Sequence, residues 1–467
     1  MDQLSGLDAS FLYLESGAQL MHVCAVIVVD PTTIPGGYDF ESFKAELSSR
    51  VSDIAMFNRK LKFVPGRIDF PVWVTDDEFD IDRHVHRLAV PSPGGDRELT
   101  EVAGHLAGIP LDRSRPLWEM FVIEGLASGK IAVFSKMHHA SVDGVSGSNM
   151  ISYLCSLEAD APPLDTGGGS AATYQRTPSD LELVGRGLAA IGTKPVHLAR
   201  LLVPTARTVV ETVGRARRGT AMAAPLTAPR TSFNGTITGH RSIAYTDVPL
   251  DAIKEIRRAV PGATVNDVVL ALSGGALRRY LLDRDELPES SLLASVPVSV
   301  HGESKRLGGR NKVSSIFCRL GTDVDDPRER ITQMSVGNAN AKDHHKAVPA
   351  DTLQEWAEFA APRTFGLAVR MVSDLKLAER GPVIHNLVIS NVPGPPVPLY
   401  FMGSRIDALY PLGPVFHGAG LNITVMSNHG QMHIGAIACR ELVPQLWDLV
   451  DQFPVELDAM RSALLDG

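Results

Sequence analysis

The hydrophobic positions in the first part of the chain predict strands and helices in alternation. Residues 20–30 form a continuous run of apolar, mostly β-branched residues that ends in an acid and a proline, which is typical of a buried strand. Residues 118–126 and 130–137 predict two further strands joined by a short Ser-Gly turn. Apolar residues at helical spacing predict helices over 38–56 and 96–109.

The second part of the chain shows the same mixture and begins near residue 233. Helices are predicted at 249–260 and 264–282, the second with Thr264 as its N-cap. Further strands are predicted at 292–298, 313–320, 384–389, 421–426 and 432–438, and further helices at 325–343, 351–377 and 441–464. Because strands and helices are mixed in both parts, the predicted class is α/β or mixed α+β.

The composition changes between the two parts. Residues 159–172 are rich in proline, glycine and small residues, which is typical of a linker. Residues 176–219 then combine eight Lys/Arg and three Asp/Glu with apolar residues at helical spacing. This pattern fits either a helix on a membrane surface or a helical linker packed on the body of the protein. We therefore divide the chain into an N-terminal domain at 1–160, a linker at 161–232 and a C-terminal domain at 233–467.

Composition and charge narrow the function classes. The formal net charge of −8 argues against general nucleic-acid binding, which needs a basic surface. The four cysteines, Cys24, Cys155, Cys318 and Cys439, are far apart, so a thiolate zinc site is not expected. The chain shows neither a secretory signal pattern nor an apolar run long enough to span a membrane. We expect a cytoplasmic protein, peripheral on the inner membrane face or on lipid droplets if it meets lipid at all.

The strongest candidate for chemistry follows the predicted strand 130–137. His138 and His139 end that strand, and Asp143 and Gly144 come shortly after them. Histidine accepts protons near neutral pH, so a histidine here is a candidate general base for a hydroxyl that attacks a thioester. We expect Asp143 to hold the loop geometry and Gly144 to permit a tight turn.

Two other interpretations of these histidines stay open at this point. A histidine at the end of a strand is often a structural residue with its hydrogen bonds satisfied. The spacing HHxxxD also suits a zinc or iron site, although no third ligand lies nearby. The next histidine pair, His344 and His345, lies in a polar stretch that suggests a solvated helix face.

Several further motifs occur in a fixed order along nearly the whole chain. They are LSGLDASFLYLE at 4–15, MHV at 21–23, FNRKL at 57–61, PLDRSRPLWE at 110–119, HHASVDG at 138–144, TVNDVVLA at 264–271, ALRRYL at 276–281, PVSV at 297–300, SNVPGP at 390–395 and GLNITV at 420–425. In this order they resemble the bacterial, mycobacterial-type wax ester synthase/diacylglycerol acyltransferase family. That family lies within the superfamily of CoA-dependent acyltransferases that share HHxxxDG.

The resemblance implies a fold and a reaction. The fold would be two chloramphenicol-acetyltransferase-like lobes, with a tunnel at their interface and the HHxxxDG loop at its centre. Acyl-CoA, as co-substrate, would enter from one side and the acceptor alcohol from the other, with no cofactor and no metal. The second histidine of the motif is the family's base and matches His139, Asp143 matches the structurally important acid, and His138 would support the base.

The resemblance also suggests where the oxyanion is stabilised. Transfer would be direct, and fixed donors would meet the tetrahedral oxyanion. We predict Gly144, Asn266, Ser390 and Asn391 as substrate-binding residues, the last three as candidate donors. Helix capping and inter-lobe hydrogen bonding are the alternative roles for the Asn266 and Asp267 pair, and core packing is the role we prefer for Trp118.

One position departs from the resemblance. Ser427-Asn428-His429-Gly430 replaces the Ser-Tyr-x-Gly that we would expect, so Asn428 stands in place of an aromatic residue. This change would widen the acceptor side of the tunnel or admit water to it.

The resemblance predicts an enzyme that makes triacylglycerol from diacylglycerol, and wax esters where a long-chain alcohol is the acceptor. Two alternatives remain from the sequence. The chain could acylate another lipid hydroxyl or use a carrier-bound acyl donor, or it could be a lipid-binding protein without turnover.

Overall fold

Three β-sheets form the framework of the protein in a computed structural model, which describes residues 2–52, 54–141, 154–160, 176–190, 223–299, 313–347 and 375–465. The first part contains β1 (Asp2–Gln3), α1 (Gly6–Leu14), β2 (His22–Asp30), α2 (Phe40–Ser52), α3 (Ala55–Asn58), β3 (Arg59–Lys62), β4 (Val72–Thr75), β5 (Val85–Ala89), α4 (Asp96–Ala107), β6 (Trp118–Glu124), β7 (Ile131–His138) and β8 (Cys155–Ser156).

The second part is longer. It contains β9 (Arg241–Pro249), α5 (Leu250–Ala259), α6 (Val265–Leu282), β10 (Leu293–Ser299), β11 (Val313–Arg319), α7 (Pro327–Ala347), α8 (Leu377–Arg380), β12 (Leu387–Pro393), β13 (Tyr400–Phe401), β14 (Ser404–Leu412), β15 (Leu421–Asn428), β16 (Gln431–Cys439), α9 (Leu446–Val450) and α10 (Gln452–Leu465). None of the helices in the described ranges is long and apolar enough to cross a membrane.

The central strands of the N-terminal sheet are those that the sequence predicts most directly. The seven strands lie in the order β5-β6-β7-β2-β14-β13-β8. Every residue of β7 is buried, and β7 pairs antiparallel with β2 on one side and β6 on the other. The predictions of strands at 20–30, 118–126 and 130–137 are therefore confirmed, because a strand covered on both faces consists of a continuous apolar run.

The C-terminal sheet has six strands in the order β11-β10-β12-β15-β16-β9, with α6 and α10 packed against it. The long helix α6 is buried along most of its length. Its first turn is fixed by a capping box, in which Thr264 accepts from the Asp267 N–H and Asp267 accepts from the Thr264 N–H. This box sets the position of Asn266, which lies between the two capping residues. The predicted helix at 351–377 lies largely outside the described residues.

The second part of the chain contributes strands to the N-terminal sheet. β14 comes from the second part of the chain but pairs antiparallel with β2 of the first part, from Arg405 opposite Asp30 to Leu412 opposite Cys24. β13 and β8 continue the same sheet beyond β14. Residues 400–412 therefore complete the N-terminal sheet, a crossing of the chain that our sequential division at residue 233 did not include.

The described part of the predicted linker packs on the body of the protein. Residues 180–190 are helical, and Leu183 is buried against Val64, Val72 and Val74 beside the three-stranded sheet β1-β4-β3. The opposite side of this helix exposes apolar residues, since Leu181 is 83% exposed. Residues 180–190 thus pack as a linker helix on the body of the protein, and the outer side of this helix also carries exposed apolar residues. The rest of the basic segment, 191–219, lies outside the described residues.

Candidate active site

The two candidate histidines lie where the central strand β7 leaves the sheet. The last strand residue, His138, is opposite His22 of β2, and its N–H donates to the Leu117 carbonyl at 3.0 Å. The next residue, His139, donates its N–H to the Met21 carbonyl at 2.7 Å. Both backbones are thereby fixed to neighbouring chain segments, so the direction of each imidazole is determined by the sheet.

The buried ring of His138 has both nitrogens occupied. Its Nδ1 accepts from the Ala140 N–H at 3.0 Å, so its proton lies on Nε2, which donates to the Glu15 carboxylate at 2.6 Å. Burial lowers the pKa of His138 despite the nearby carboxylate. Burial alone would raise the pKa of Glu15, but the hydrogen bond from His138 and the charge of Arg113 lower it to about 2. Neutral His138 is therefore a structural support for the loop, with no free nitrogen for proton transfer.

The ring of His139 is in a different situation. It stacks on Phe11 at a centroid distance of 4.0 Å. Its Nδ1 is buried and has no hydrogen-bond partner among the described residues. Burial lowers the pKa of His139 to about 4, so the imidazole is neutral at pH 7. A neutral imidazole can accept a proton, so this ring can act as a base.

The candidate oxyanion donors are only partly brought together. Asn391 of β12 donates from Nδ2 to Oδ1 of Asn266 in the first turn of α6, at 3.4 Å. Ser390 is the preceding residue on β12 and pairs in register with Thr424 of β15. No hydrogen bond among the described residues joins these three to His139, so their role in oxyanion stabilisation stays a prediction.

The alternative roles considered for neighbouring residues are present. Asp267 accepts from Asn338 Nδ2 at 2.8 Å in addition to its capping bonds, which confirms the capping interpretation for this residue. Trp118 is buried and donates to the Phe57 carbonyl at 2.9 Å, which confirms core packing. Asp143 and Gly144 lie outside the described residues, and their roles stay predictions.

The metal interpretation gains no support from the described part of the chain. No group of three His, Cys, Asp or Glu side chains in the described ranges could hold an ion. The nitrogens of His138 are both engaged, by Ala140 and by Glu15, which makes this ring unsuitable as a ligand.

The sequence did not single out four residues around the histidines. Glu15 and Arg113 lie 3.4 Å apart beside His138, and Phe11 stacks on His139. His22 packs edge-on to His138, and neither of its buried nitrogens has a hydrogen-bond partner. The available signals were the segments 4–15, 21–23 and 110–119, which contain these four residues but which we used as markers of resemblance alone.

Comparisons with known proteins agree with this arrangement. The chain matches the models for the wax ester synthase/diacylglycerol acyltransferase catalytic domain over residues 4–269 and for the C-terminal domain of the same family over 310–461. A putative diacylglycerol O-acyltransferase of Mycobacterium tuberculosis is 46% identical over 98% of this chain and 89% of the relative. A probable diacylglycerol O-acyltransferase of the same organism is 35% identical over 99% of this chain and all of the relative.

Solved structures give the same result for the fold. The wax ester synthase/diacylglycerol acyltransferase from Marinobacter aquaeolei VT8 is 30% identical over 99% of each chain, with a TM-score of 0.69. The first condensation domain of the calcium-dependent antibiotic synthetase, at 14% identity and a TM-score of 0.59, shares the two-lobe fold. The predicted mixed α/β class with two lobes is thus confirmed. The chain belongs to the wax ester synthase/diacylglycerol acyltransferase family, a family of acyltransferases.

Proposed function

We propose that this protein transfers an acyl group from acyl-CoA to the free hydroxyl of diacylglycerol, with His139 as the general base. Long-chain alcohols are the second acceptor class, because the similar Marinobacter protein is named for both activities. The observation that carries the proposal is the neutral, oriented imidazole of His139 at the end of β7.

His139 meets the requirements of a base. A general base must be unprotonated at the working pH and fixed in direction. The lowered pKa supplies the first property, and the Met21 hydrogen bond together with the Phe11 stack supplies the second. Because Nδ1 is buried, we infer that Nε2 is the nitrogen that accepts the proton.

The reaction follows in two steps without an acyl-enzyme. The acceptor hydroxyl gives its proton to Nε2 of His139 while its oxygen forms a bond to the thioester carbon. The carbon–sulfur bond of the tetrahedral intermediate then breaks, and the imidazolium returns the proton to the leaving sulfur. Asn266 is our first candidate for the oxyanion donor, because the bond from Asn391 to its Oδ1 fixes the direction of its Nδ2.

The test is CoA release from palmitoyl-CoA, with dioleoylglycerol and hexadecanol as separate acceptors. We expect acceptor-dependent release that falls by about 10²–10⁴ in His139→Ala, the usual effect of losing a general base. His240→Ala is the matched control, since the His240 side chain is 72% exposed and makes a surface hydrogen bond with Glu441. Full activity in His139→Ala would exclude the proposed base.

The same assay separates the alternatives. Release from an acyl carrier protein but not from palmitoyl-CoA would indicate a carrier-bound donor. No release with either acceptor, from folded protein that binds palmitoyl-CoA, would indicate a lipid-binding protein.

We also propose that the protein attaches peripherally to a lipid surface through the segment 176–219. The support is the outer side of the helix at 180–190, where Leu181 and Leu188 are 83% and 60% exposed while Leu183 packs inward. Sedimentation with anionic lipid vesicles tests this. Leu181→Glu with Leu188→Glu should reduce the bound fraction, whereas the exposed Val336→Glu on α7 should not.

A further inference from the structure

The proposed reaction places a positive charge inside the protein for part of each turnover. When the acceptor hydroxyl gives up its proton, His139 becomes an imidazolium until the proton returns to the leaving sulfur. Burial opposes this step, because a charged ring is less well solvated in the interior than in water. A group that stabilises the imidazolium more than the neutral ring would therefore increase the rate.

The carboxylate beside the two histidines is engaged elsewhere. Glu15 is hydrogen-bonded to Nε2 of His138 at 2.6 Å. Nδ1 of His139 is buried and has no hydrogen-bond partner among the described residues. The ring of His139 is instead in contact with an aromatic side chain, that of Phe11.

Phe11 presents the face of its ring to His139. The two ring centroids are 4.0 Å apart, and the ring planes differ by 28°. The face of a benzene ring carries partial negative charge, which attracts a cation within about 6 Å of its centroid. A neutral imidazole gains little from this charge, whereas an imidazolium in the same place gains a cation–π interaction, which is strongest where water is excluded.

The first helix holds the Phe11 ring in this position. Leu12, the next residue of α1, is buried in one apolar cluster with Ala140, which follows the two histidines. Phe11 and Glu15 are four residues apart and therefore lie on the same side of α1. One helix thus presents an aromatic face to His139 and a carboxylate to the histidine before it.

We propose that Phe11 is a positioning residue that stabilises the imidazolium of His139 during acyl transfer through a cation–π interaction. This inference rests on the proposed function and deepens it, because it names a group that offsets the cost of charging a buried base. The proton still passes from the acceptor hydroxyl to His139 and then to the sulfur of CoA. Because the interaction gains strength only while the base is charged, it should raise kcat and leave KM unchanged.

A test of this interaction must leave the charges around His139 as they are. The described titratable groups on the elements around the histidine pair are His138 of β7, Tyr13 and Glu15 of α1, His22 of β2 and Arg113 before β6. Fluorine in place of hydrogen on the Phe11 ring changes none of these groups. It withdraws electron density from the ring face and alters the shape of the ring little.

The test is acyl transfer from palmitoyl-CoA to dioleoylglycerol or hexadecanol, by proteins with zero to three fluorines on Phe11, introduced by amber suppression. We expect kcat to fall with each fluorine, by about tenfold for trifluorophenylalanine, while KM stays constant. The matched control is the same series at Phe57, which is buried and meets Trp118 edge-on. There kcat should stay within about twofold. A kcat that does not depend on the number of fluorines at position 11 would overturn the inference.

Two isomers separate the charge of the ring face from packing. 3,4-Difluorophenylalanine and 3,5-difluorophenylalanine weaken the negative face about equally but place the added bulk at different ring positions. Equal kcat in these two proteins supports the cation–π interaction. A difference as large as that between one and three fluorines would show that Phe11 acts through its shape, which also contradicts the inference.

A titration without substrate keeps the inference separate from the proposed function. The isotopically labelled ring of His139, assigned by the loss of its signal in His139→Ala, is followed by NMR from about pH 7 to about pH 4.5 in folded protein. Three fluorines on Phe11 should lower the pKa of His139, so that about tenfold less imidazolium forms at a given pH. An unchanged pKa would overturn the inference. A lowered pKa in a protein that transfers no acyl group would overturn the proposed function and leave the interaction in place.

Discussion

Glu15 and His138 act as a pair, although 123 positions separate them in the chain. The carboxylate accepts the Nε2 proton of His138, and the Ala140 N–H occupies Nδ1, so the loop after β7 is braced at two points. No local pattern encodes this contact. The sequence could identify His138 and His139 as a motif. It could not show that both ring nitrogens of His138 are already hydrogen-bonded, one of them to Glu15 at the end of α1.

Removal of the carboxylate should show what this brace contributes. We expect Glu15→Ala to leave the Nε2–H of His138 buried without an acceptor, which costs about 1–3 kcal/mol of unfolding free energy. Loss of loop geometry should lower kcat more than it raises KM. Glu15→Gln keeps an acceptor oxygen and should recover most of the stability. Urea unfolding and steady-state kinetics on the three proteins measure both effects, and equal loss in both variants would contradict the brace.

The pKa of His139 predicts an unusual pH profile. Activity requires the neutral ring, and burial lowers its pKa from 6.5 to about 4. The acid limb of kcat/KM should therefore lie well below pH 6.5, with most activity retained near pH 5. An ordinary histidine would lose roughly tenfold for each pH unit below 6.5. The profile is measured with return to pH 7 as the control for unfolding, and a limb centred near 6.5 would contradict the assigned environment.

At the scale of elements, the pattern of apolar residues predicted strands and helices correctly where these elements are buried along most of their length. β2, β6, β7 and α6 lie where apolar runs and helical spacing predicted them. The sequence analysis did not predict a strand at β14, and it could not have predicted the partner of this strand, because strand pairing depends on which distant edge is free. The predicted helix 441–464 is in fact two helices, Leu446–Val450 and Gln452–Leu465, since Asp451 ends the first.

The close contact between β14 and the C-terminal sheet can be tested at one glycine. A Cβ added at Gly435 of β16 would meet the Pro411 carbonyl of β14 far inside van der Waals distance. We expect Gly435→Ala to force the sheets apart and cost about 1–3 kcal/mol. The control is Gly337→Ala on α7, where the added Cβ has open space. Urea unfolding measures the stability of both variants. Equal stability of Gly435→Ala and Gly337→Ala would mean that β14 and β16 separate without an energetic cost.

At the scale of the whole molecule, buried neutral histidines should limit stability in acid. Folding lowers the pKa of His22 to about 3, and of His139 and His385 to about 4, from 6.5. The unfolded chain therefore binds more protons than the native state between about pH 6.5 and 4. The free energy of unfolding should fall as pH drops through this window, by about 1 kcal/mol per pH unit for each histidine.

A variant of His22 tests how much of this pH dependence of the unfolding free energy comes from one histidine. Neither of its nitrogens has a hydrogen-bond partner, so His22→Phe removes a buried titratable group without breaking a bond. Urea unfolding at about pH 7, 6 and 5 should show that the free energy of unfolding falls less steeply with decreasing pH in the variant. The difference in slope should correspond to about one bound proton. An unchanged slope would place the acid sensitivity elsewhere, for example in Glu15, whose contribution is lost only below pH 4.5.

The pairing of β14 with β2 has a consequence for synthesis on the ribosome. β2 ends at Asp30, but its partner β14 begins only at Ser404, so one edge of the first sheet stays unpaired while the intervening chain is made. At ~5–20 residues per second this interval is on the order of tens of seconds. Throughout it the nascent protein presents an apolar strand edge to other chains. A chain that stops before Ser404 never covers that edge, so we expect such fragments to aggregate in the cell, and neither half to work when made apart from the other.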